Sequence, residues 1–119
     1  MALTGPRLLD SYSASVEYGA VILLIRERVE SWLTEYERTP VAEPSVLGAI
    51  AALRALAEAY PMLASAVVGA DEVQEWDAAL TRWLETHGRA VRVRRGVSRD
   101  KLLAEIRREF ARILAAVGG

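Results

Sequence analysis

The sequence predicts an all-α protein, a compact bundle of four main helices plus one short helix, with an unusually long N-terminal helix. In each long stretch the apolar residues recur at alternating spacings of three and four, which is the period of an amphipathic helix. Prolines and glycines separate these stretches, and the only segment that could be extended, residues 89–96, has no second strand to pair with. Because 119 residues can bury one core, we expect a single helical domain over residues 1–119.

The first helix is predicted over about residues 6–38, from a cap at Thr4 to the break at Thr39 and Pro40. Its centre, residues 20–25, is apolar on every side, and such a helix must be covered on every side. An uninterrupted helix of this span would be roughly 48 Å long. We therefore expect either a bend near Gly19, a poor helix former, or one end that projects and binds a partner.

The second and third helices are predicted at about residues 45–60 and 62–68, after the stiff turn TPVAEP and on either side of Pro61. Ser45 is placed to cap the second helix. This helix is rich in alanine and poor in charge, which predicts close packing between neighbouring helices. Its apolar residues form one seam: Val46, Ile50, Leu53, Ala57 and Tyr60.

The fourth and fifth helices are predicted at about residues 71–87 and 98–117. The fifth has the clearest start signal, because Ser98 can cap it while Val97 and Leu102 are placed as a hydrophobic staple. The stripe of the fourth helix is Val73, Trp76, Leu80, Trp83 and Leu84, and the stripe of the fifth is Leu102, Leu103, Ile106, Phe110, Ile113, Leu114 and Val117. Between them, residues 89–96 are equally compatible with an ordered loop, an extended segment or a helical extension.

The composition excludes several kinds of site. The chain has no cysteine, so disulfides, thiolate metal sites and cysteine nucleophiles are absent, and a reducing compartment is favoured. Its one histidine, His87, cannot build a multi-histidine metal site. The sequence begins without the features of a signal peptide, and its longest apolar run is far short of the roughly 20 residues that span a bilayer. We expect a cytoplasmic protein without a metal, a cofactor or a membrane span.

Charge is distributed unevenly along the chain. Residues 1–88 carry 6 basic and 13 acidic side chains, a net −7, whereas residues 89–119 carry 9 basic and 3 acidic side chains, a net +6. Six of these cations form what we call the basic segment: Arg89, Arg92, Arg94, Arg95, Arg99 and Lys101. The basic segment could bind the phosphates of a nucleic acid, or it could neutralise the acidic helices of its own chain. No aromatic residue lies between positions 84 and 109, so stacking on single-stranded bases is not indicated.

Other functional patterns are weak. A helix-turn-helix at residues 63–71 has the wrong turn spacing, and its second helix would begin with acids that repel phosphate. The glutamate pairs lack the Glu-x-x-His partners of di-metal bundles. His87 has no local catalytic signature, which leaves an enzyme as the least supported class. The last helix resembles a membrane-surface helix only loosely, because Glu105 and Glu109 interrupt its basic side.

These observations predict a non-enzymatic helical interaction module, or adaptor, that acts by protein–protein association and self-associates. The expected interface lies on the apolar surplus of the first helix: Val16, Gly19, Ala20, Ile22, Leu23 and Ile25. The alternative is a nucleic-acid-binding regulator, or a subunit of a nucleoprotein assembly, that uses the basic segment from Arg89 to Lys101. No catalytic, cofactor-binding or metal-binding residue is predicted.

Overall fold

The computed structural model describes residues 11–93 and 95–118, and within these residues the chain forms five α-helices and no strand. The helices are α1 (Tyr12–Glu35), α2 (Val46–Ala59), α3 (Pro61–Ser65), α4 (Ala70–His87) and α5 (Arg99–Gly118), and a 3-10 turn at Gly88–Ala90 follows α4. The predicted all-α bundle with a long first helix is therefore confirmed. The predicted cap at Thr4, the predicted helical residues 6–10 and Arg94 lie outside the described residues.

Helix α1 runs without interruption through Gly19, so neither the glycine nor its surroundings break the helix. Its 24 residues correspond to about 36 Å, and it is the longest helix of the described chain. It ends at Glu35, three residues before the predicted end, where the Tyr36 N–H donates a hydrogen bond of 2.9 Å to the Trp32 carbonyl. Helix α1 is thus one continuous helix from Tyr12 to Glu35, without the bend near Gly19 that would let it fold back on itself.

The five helices pack around one core. Helix α2 lies against both α1 and α5, α4 lies against α5 and α1, and α3 contacts α1, α2 and α5. The buried side chains of the core come largely from the apolar stripes, and they include Ile22, Val29, Trp32, Val46, Ile50, Leu53, Ala57, Val73, Trp76, Leu80, Trp83, Ile106, Phe110 and Ile113. Helical periodicity therefore identified the core-facing side of α2, α4 and α5 correctly, and α2 lies between α1 and α5 with one side open to solvent.

The apolar centre of α1 is covered on one side only. Ile22 is fully buried and Ile25 is half-buried, whereas Val21, Leu23 and Leu24 remain between 40% and 59% exposed. The expectation that elements of the same chain would surround residues 20–25 is therefore wrong for the described part of the chain. Helices α2, α3 and α4 are the neighbours that pack against α1.

Aromatic residues and a few polar contacts fix the helices relative to one another. Trp32 and Trp83 meet edge to face with ring centroids 5.2 Å apart, which joins α1 to α4. The Trp83 indole N–H donates a hydrogen bond of 3.0 Å to the Thr39 carbonyl in the connector after α1. At the other end, the Tyr18 hydroxyl donates a hydrogen bond of 2.6 Å to the Leu56 carbonyl and so joins α1 to α2.

Two of the predicted helix starts differ in their capping. Ser98 caps α5, because its hydroxyl accepts a hydrogen bond of 3.2 Å from the Lys101 N–H, as the sequence predicts. Ser45 does not cap α2: its backbone is already helical and its side chain makes no capping hydrogen bond. Helix α4 begins one residue earlier than predicted, and there the Glu72 carboxylate accepts a hydrogen bond of 3.2 Å from the Gly69 N–H.

Candidate interaction surfaces

Exposed apolar side chains are concentrated on one face of α1. The described residues contain seven large hydrophobic side chains that are strongly exposed, and five of them lie between positions 12 and 24. Tyr12 is the most exposed of the five, at 83%, and Leu24 follows at 59%. With the exposed Ala20, these residues form what we call the α1 outer face: Tyr12, Val16, Ala20, Val21, Leu23 and Leu24.

The helical positions of these residues explain why they share a face. Tyr12, Val16, Ala20 and Leu24 follow one another at intervals of four, and Leu23 lies three residues after Ala20, close in direction to Tyr12 and Val16. Val21 lies one turn before Ile25, on the edge toward α2. Apolar exposure of this kind on contiguous turns is typical of an interaction site, whereas single exposed apolar residues are ordinary.

The edge of the α1 outer face continues into an open groove between α1 and α2. The groove has a volume of about 750 Å³ and is lined on the α1 side by Leu24, Ile25 and Trp32, among others. On the α2 side it reaches Gly48 and Ala49. One exposed stripe of α2 carries only small residues, namely Gly48, Ala52, Ala55 and Ala59, while the exposed Glu58 is bonded to Arg112 of α5.

The structure places the six predicted interface residues in different environments. Val16, Ala20 and Leu23 belong to the α1 outer face. Ile22 is fully buried in the core, and Ile25 is half-buried beside α2. Gly19 faces Val67, which is 3.8 Å from the position of an added Cβ atom, so its surroundings are those of ordinary packing. Ile22 and Gly19 therefore lie on the side of α1 that packs against the bundle, and Val16, Ala20 and Leu23 lie on its solvent side.

Sequence reasoning missed Tyr12, Val21 and Leu24 as surface residues. The run from Ala20 to Ile25 has no polar position, so periodicity alone could not tell its inner side from its outer side. The helical stripe Ile22, Ile25, Val29, Trp32 and Tyr36 is the signal that separates the two sides, because it leaves Leu23 and Leu24 outside. The predicted interface nevertheless included Ile22 and Ile25 from this stripe.

Ion pairs lie on the sides of the bundle away from the α1 outer face. In one network the Arg112 guanidinium donates two hydrogen bonds, of 2.6 and 2.8 Å, to the Glu58 carboxylate. Arg54 bonds to the same carboxylate at 3.2 Å and to Glu109 at 2.7 Å, so the network joins α2 to α5. The bonds from Arg112 chiefly hold the pKa of Glu58 below its usual range.

A second network joins α1 to α4. Arg26 donates a hydrogen bond of 2.8 Å to Glu72 and lies 3.6 Å from Glu30. Burial raises the pKa of Glu30, and a hydrogen bond with Glu72 raises it further. Burial acts in the same direction on Glu72, but hydrogen bonds from the Gly69 N–H and from Glu30 leave its pKa lowered. Arg26 thus lies between the two carboxyl groups and joins α1 to α4.

The basic segment is only partly available to a ligand. Arg92 lies 3.5 Å from Glu43, and both side chains are highly exposed. The Arg92 N–H donates a hydrogen bond of 2.8 Å to the Ala42 carbonyl, so this loop is attached to the connector before α2. Arg89, Arg95 and Lys101 are exposed and form no ion pair with the described residues. Self-neutralisation is therefore limited here to one loose contact, and most of the described cations of the segment face solvent.

Arg99 has a structural role within the basic segment. Its guanidinium donates hydrogen bonds to the carbonyls of Gly88, Arg89 and Val91 at 2.7, 2.9 and 3.3 Å. These carbonyls belong to the 3-10 turn after α4 and to the residue that follows it, and the Gly88 carbonyl also accepts a hydrogen bond of 3.1 Å from the Val91 N–H. Arg99 thus attaches the start of α5 to the end of α4, and its donors are engaged by the chain itself.

His87 lies in the last turn of α4, where its ring packs against Trp83 with centroids 5.8 Å apart. It lines an open groove of about 550 Å³ that also contains Glu37, Arg38 and Arg82. The histidine makes no hydrogen bond with the described residues, so no nucleophile or orienting acid is joined to it. Within the described residues no group of three or more histidine, aspartate and glutamate side chains is placed to hold a metal ion.

No helix in the described part of the chain combines the length and the hydropathy that a bilayer crossing requires. Comparisons with models of protein families, with curated protein sequences and with solved structures found no match to this chain.

Proposed function

We propose that this protein is a non-enzymatic helical interaction module that acts in the cytoplasm by protein–protein association, and that its partner is a second copy of the same chain. One observation carries the proposal. Five of the seven strongly exposed large hydrophobic side chains in the described residues lie on the α1 outer face. Removing apolar surface from water is the main driving force of association, and it acts in proportion to the area covered.

The shape of this surface favours a helical partner. The α1 outer face is a ridge along a straight helix, bordered by the groove toward α2 with its glycine and alanine side. Ridges of this kind pack into the grooves of another helix at interaxial distances of about 8–10 Å. A second α1 offers both the apolar ridge and the neighbouring groove, so a single surface satisfies both halves of a symmetric contact.

Sedimentation equilibrium of the wild-type chain at micromolar concentrations tests the proposal, together with the variant Leu24→Asp. We expect a monomer–dimer equilibrium for the wild type. In a symmetric contact the variant places two carboxylates against apolar surface, each at a cost of about 1–3 kcal/mol. The dissociation constant should therefore rise at least about 30-fold.

Val97→Asp is the matched control, because Val97 is an exposed apolar residue in the loop before α5 and is not part of the α1 outer face. It should leave the dissociation constant within about twofold, since it removes no apolar contact from the interface. A wild-type chain that sediments as a monomer refutes self-association. Equal weakening by both aspartate variants would show that the contact does not use the α1 outer face.

Nucleic-acid binding is the second candidate, and the exposure of Arg89, Arg92, Arg95 and Lys101 favours it. Titration with an oligonucleotide at several salt concentrations should then give a log–log slope of roughly −3 to −4, one unit for each phosphate neutralised. The double variant Arg92→Ala, Arg95→Ala should weaken binding and reduce the slope by about two. The control is Arg82→Ala on α4; no binding at low salt removes this candidate.

A further inference from the structure

Two bulky residues of the α1 outer face, Val16 and Leu24, are equally far from Ala20. Val16 precedes Ala20 by one helical turn and Leu24 follows it by one turn, so a small exposed residue lies between two bulky exposed ones. We propose that two copies pair antiparallel through α1, with a two-fold axis beside Ala20. This inference rests on the proposed self-association and goes beyond it by assigning the orientation and the register of the partner.

In this arrangement residues equally far before and after Ala20 face each other across the interface. Val16 lies against the partner's Leu24, and the two Ala20 residues meet at the axis. The small side chain lets the helices approach to the lower end of the usual interaxial distance of about 8–10 Å. One turn away on either side, the bulkier pair of Val16 and the partner's Leu24 fills the space between the helices. The two-fold symmetry produces this pair twice, once on each side of Ala20.

The charges at the ends of the α1 outer face fit the same register. Arg28 and Glu27 are exposed and form no ion pair with the described residues. Around Ala20, Arg28 faces the partner's Tyr12, whose ring is 83% exposed and offers a cation–π contact. Glu27 faces the partner's Ser13, whose hydroxyl can donate a hydrogen bond to the carboxylate. Each of these two charges of one copy therefore meets a suitable group of the other.

Two other arrangements bring like charges together. A parallel pairing in register places Glu27 against the partner's Glu27, on the side of the helix that makes the contact. An antiparallel pairing with its axis at Ile22, two residues farther along, places Glu17 against the partner's Glu27. Close carboxylates oppose association, and excluding such alternatives is how charge fixes the orientation of paired helices. The axis beside Ala20 avoids both contacts.

The absence of cysteine from the chain makes the register directly measurable. The single variants Val16→Cys and Leu24→Cys change exposed residues only, and they are mixed in equal amounts in a glutathione redox buffer. Intact mass spectrometry then separates the two disulfide-linked homodimers from the heterodimer. Disulfides need Cα atoms about 4.4–6.8 Å apart. In the proposed pairing, positions 16 and 24 are level across the interface, whereas position 16 and the partner's position 16 are about 12 Å apart along the axis.

The ratio of the heterodimer to the two homodimers together, which is one for random pairing, should therefore be at least about tenfold higher, because a strained homodimer disulfide is readily reduced. Ala20→Cys alone should form a homodimer efficiently, and Val97→Cys mixed with Leu24→Cys should give the statistical proportions. Excess homodimers of the first two variants mean a parallel pairing, and statistical proportions mean another register. Either outcome overturns the proposed register. The proposed function is tested separately, and it still holds if the wild type dimerises and Leu24→Asp does not. A monomeric wild type overturns both.

Discussion

Ile22 and Leu24 are two residues apart on α1 but lie on opposite sides of it, and their replacement by alanine should have very different effects on folding. Ile22 is fully buried among core side chains, whereas Leu24 is 59% exposed. Ile22→Ala removes three carbon atoms from the core without changing the charge or the helix-forming character of the position. Leu24→Ala removes a similar amount of apolar surface from a position that already contacts water.

The magnitude for Ile22→Ala follows from two contributions. The lost transfer free energy of three carbon atoms is about 2.4 kcal/mol at about 0.8 kcal/mol each. If packing relaxes only partly, a residual cavity of about 50 Å³ adds about 1.2 kcal/mol. The free energy of unfolding should therefore fall by about 3–4 kcal/mol, and Tm by about 10–20 °C for a chain of this size. For Leu24→Ala the expected loss is below about 1 kcal/mol.

Urea denaturation followed by circular dichroism and by tryptophan fluorescence measures both variants. The protein concentration is kept as low as the signal allows, so that dissociation of copies does not contribute to the free energy of unfolding. Equal losses for the two variants would refute the assignment of the inner and outer sides of α1. A small loss for Ile22→Ala alone would mean that the core does not enclose this residue.

Three further substitutions test other parts of the structure. Trp83→Phe removes a buried indole and its hydrogen bond to the connector after α1, so the free energy of unfolding should fall by about 2–4 kcal/mol in urea titrations; a loss below about 0.5 kcal/mol would contradict the assigned contact. Arg99→Ala removes the guanidinium hydrogen bonds to three backbone carbonyls and should cost about 1–2 kcal/mol, whereas Lys101→Ala should be nearly neutral, and equal losses would refute the structural role of Arg99. The pKa of Glu58 is lowered in the folded state, so its contribution to stability is present above the ordinary glutamate pKa and is lost as pH falls through the folded value. Glu58→Gln should therefore flatten this acidic part of the stability profile, and an unchanged slope would mean that the bonds from Arg112 contribute nothing.

The sequence was sufficient to predict the five helices, because each has its own apolar period and a proline, glycine or capping residue near its end. The stripe of α2 and that of α4 became core seams at the predicted residues, since a helix with one apolar side has one energetically acceptable orientation. Ser98 was predicted as a cap because a serine before a helix start has a local partner, the N–H three residues later. Ser45 shows the limit of that reasoning, because the chain enters α2 already in helical conformation.

The candidate interface could be predicted only in part. The apolar run of α1 gave the correct helix but not its orientation, because a helix apolar on every side has no preferred direction until its neighbours are placed. Arg99 was grouped with the other cations because its sequence neighbours are arginines. The carbonyls that bind it, those of Gly88, Arg89 and Val91, come from the turn eight to eleven residues earlier and carry no sequence signal. Contacts made by the backbone in three dimensions leave no pattern in residue types.

An isotope-filtered nuclear Overhauser experiment on a mixture of labelled and unlabelled wild-type chains tests most directly whether a second copy covers the α1 outer face. We predict intermolecular signals between the methyl groups of Leu24 in one copy and those of Val16 in the other, with the core methyl groups of Ile22 giving intramolecular signals only. A sample that shows no intermolecular signal for Val16, Leu23 or Leu24 at concentrations well above micromolar would contradict the account.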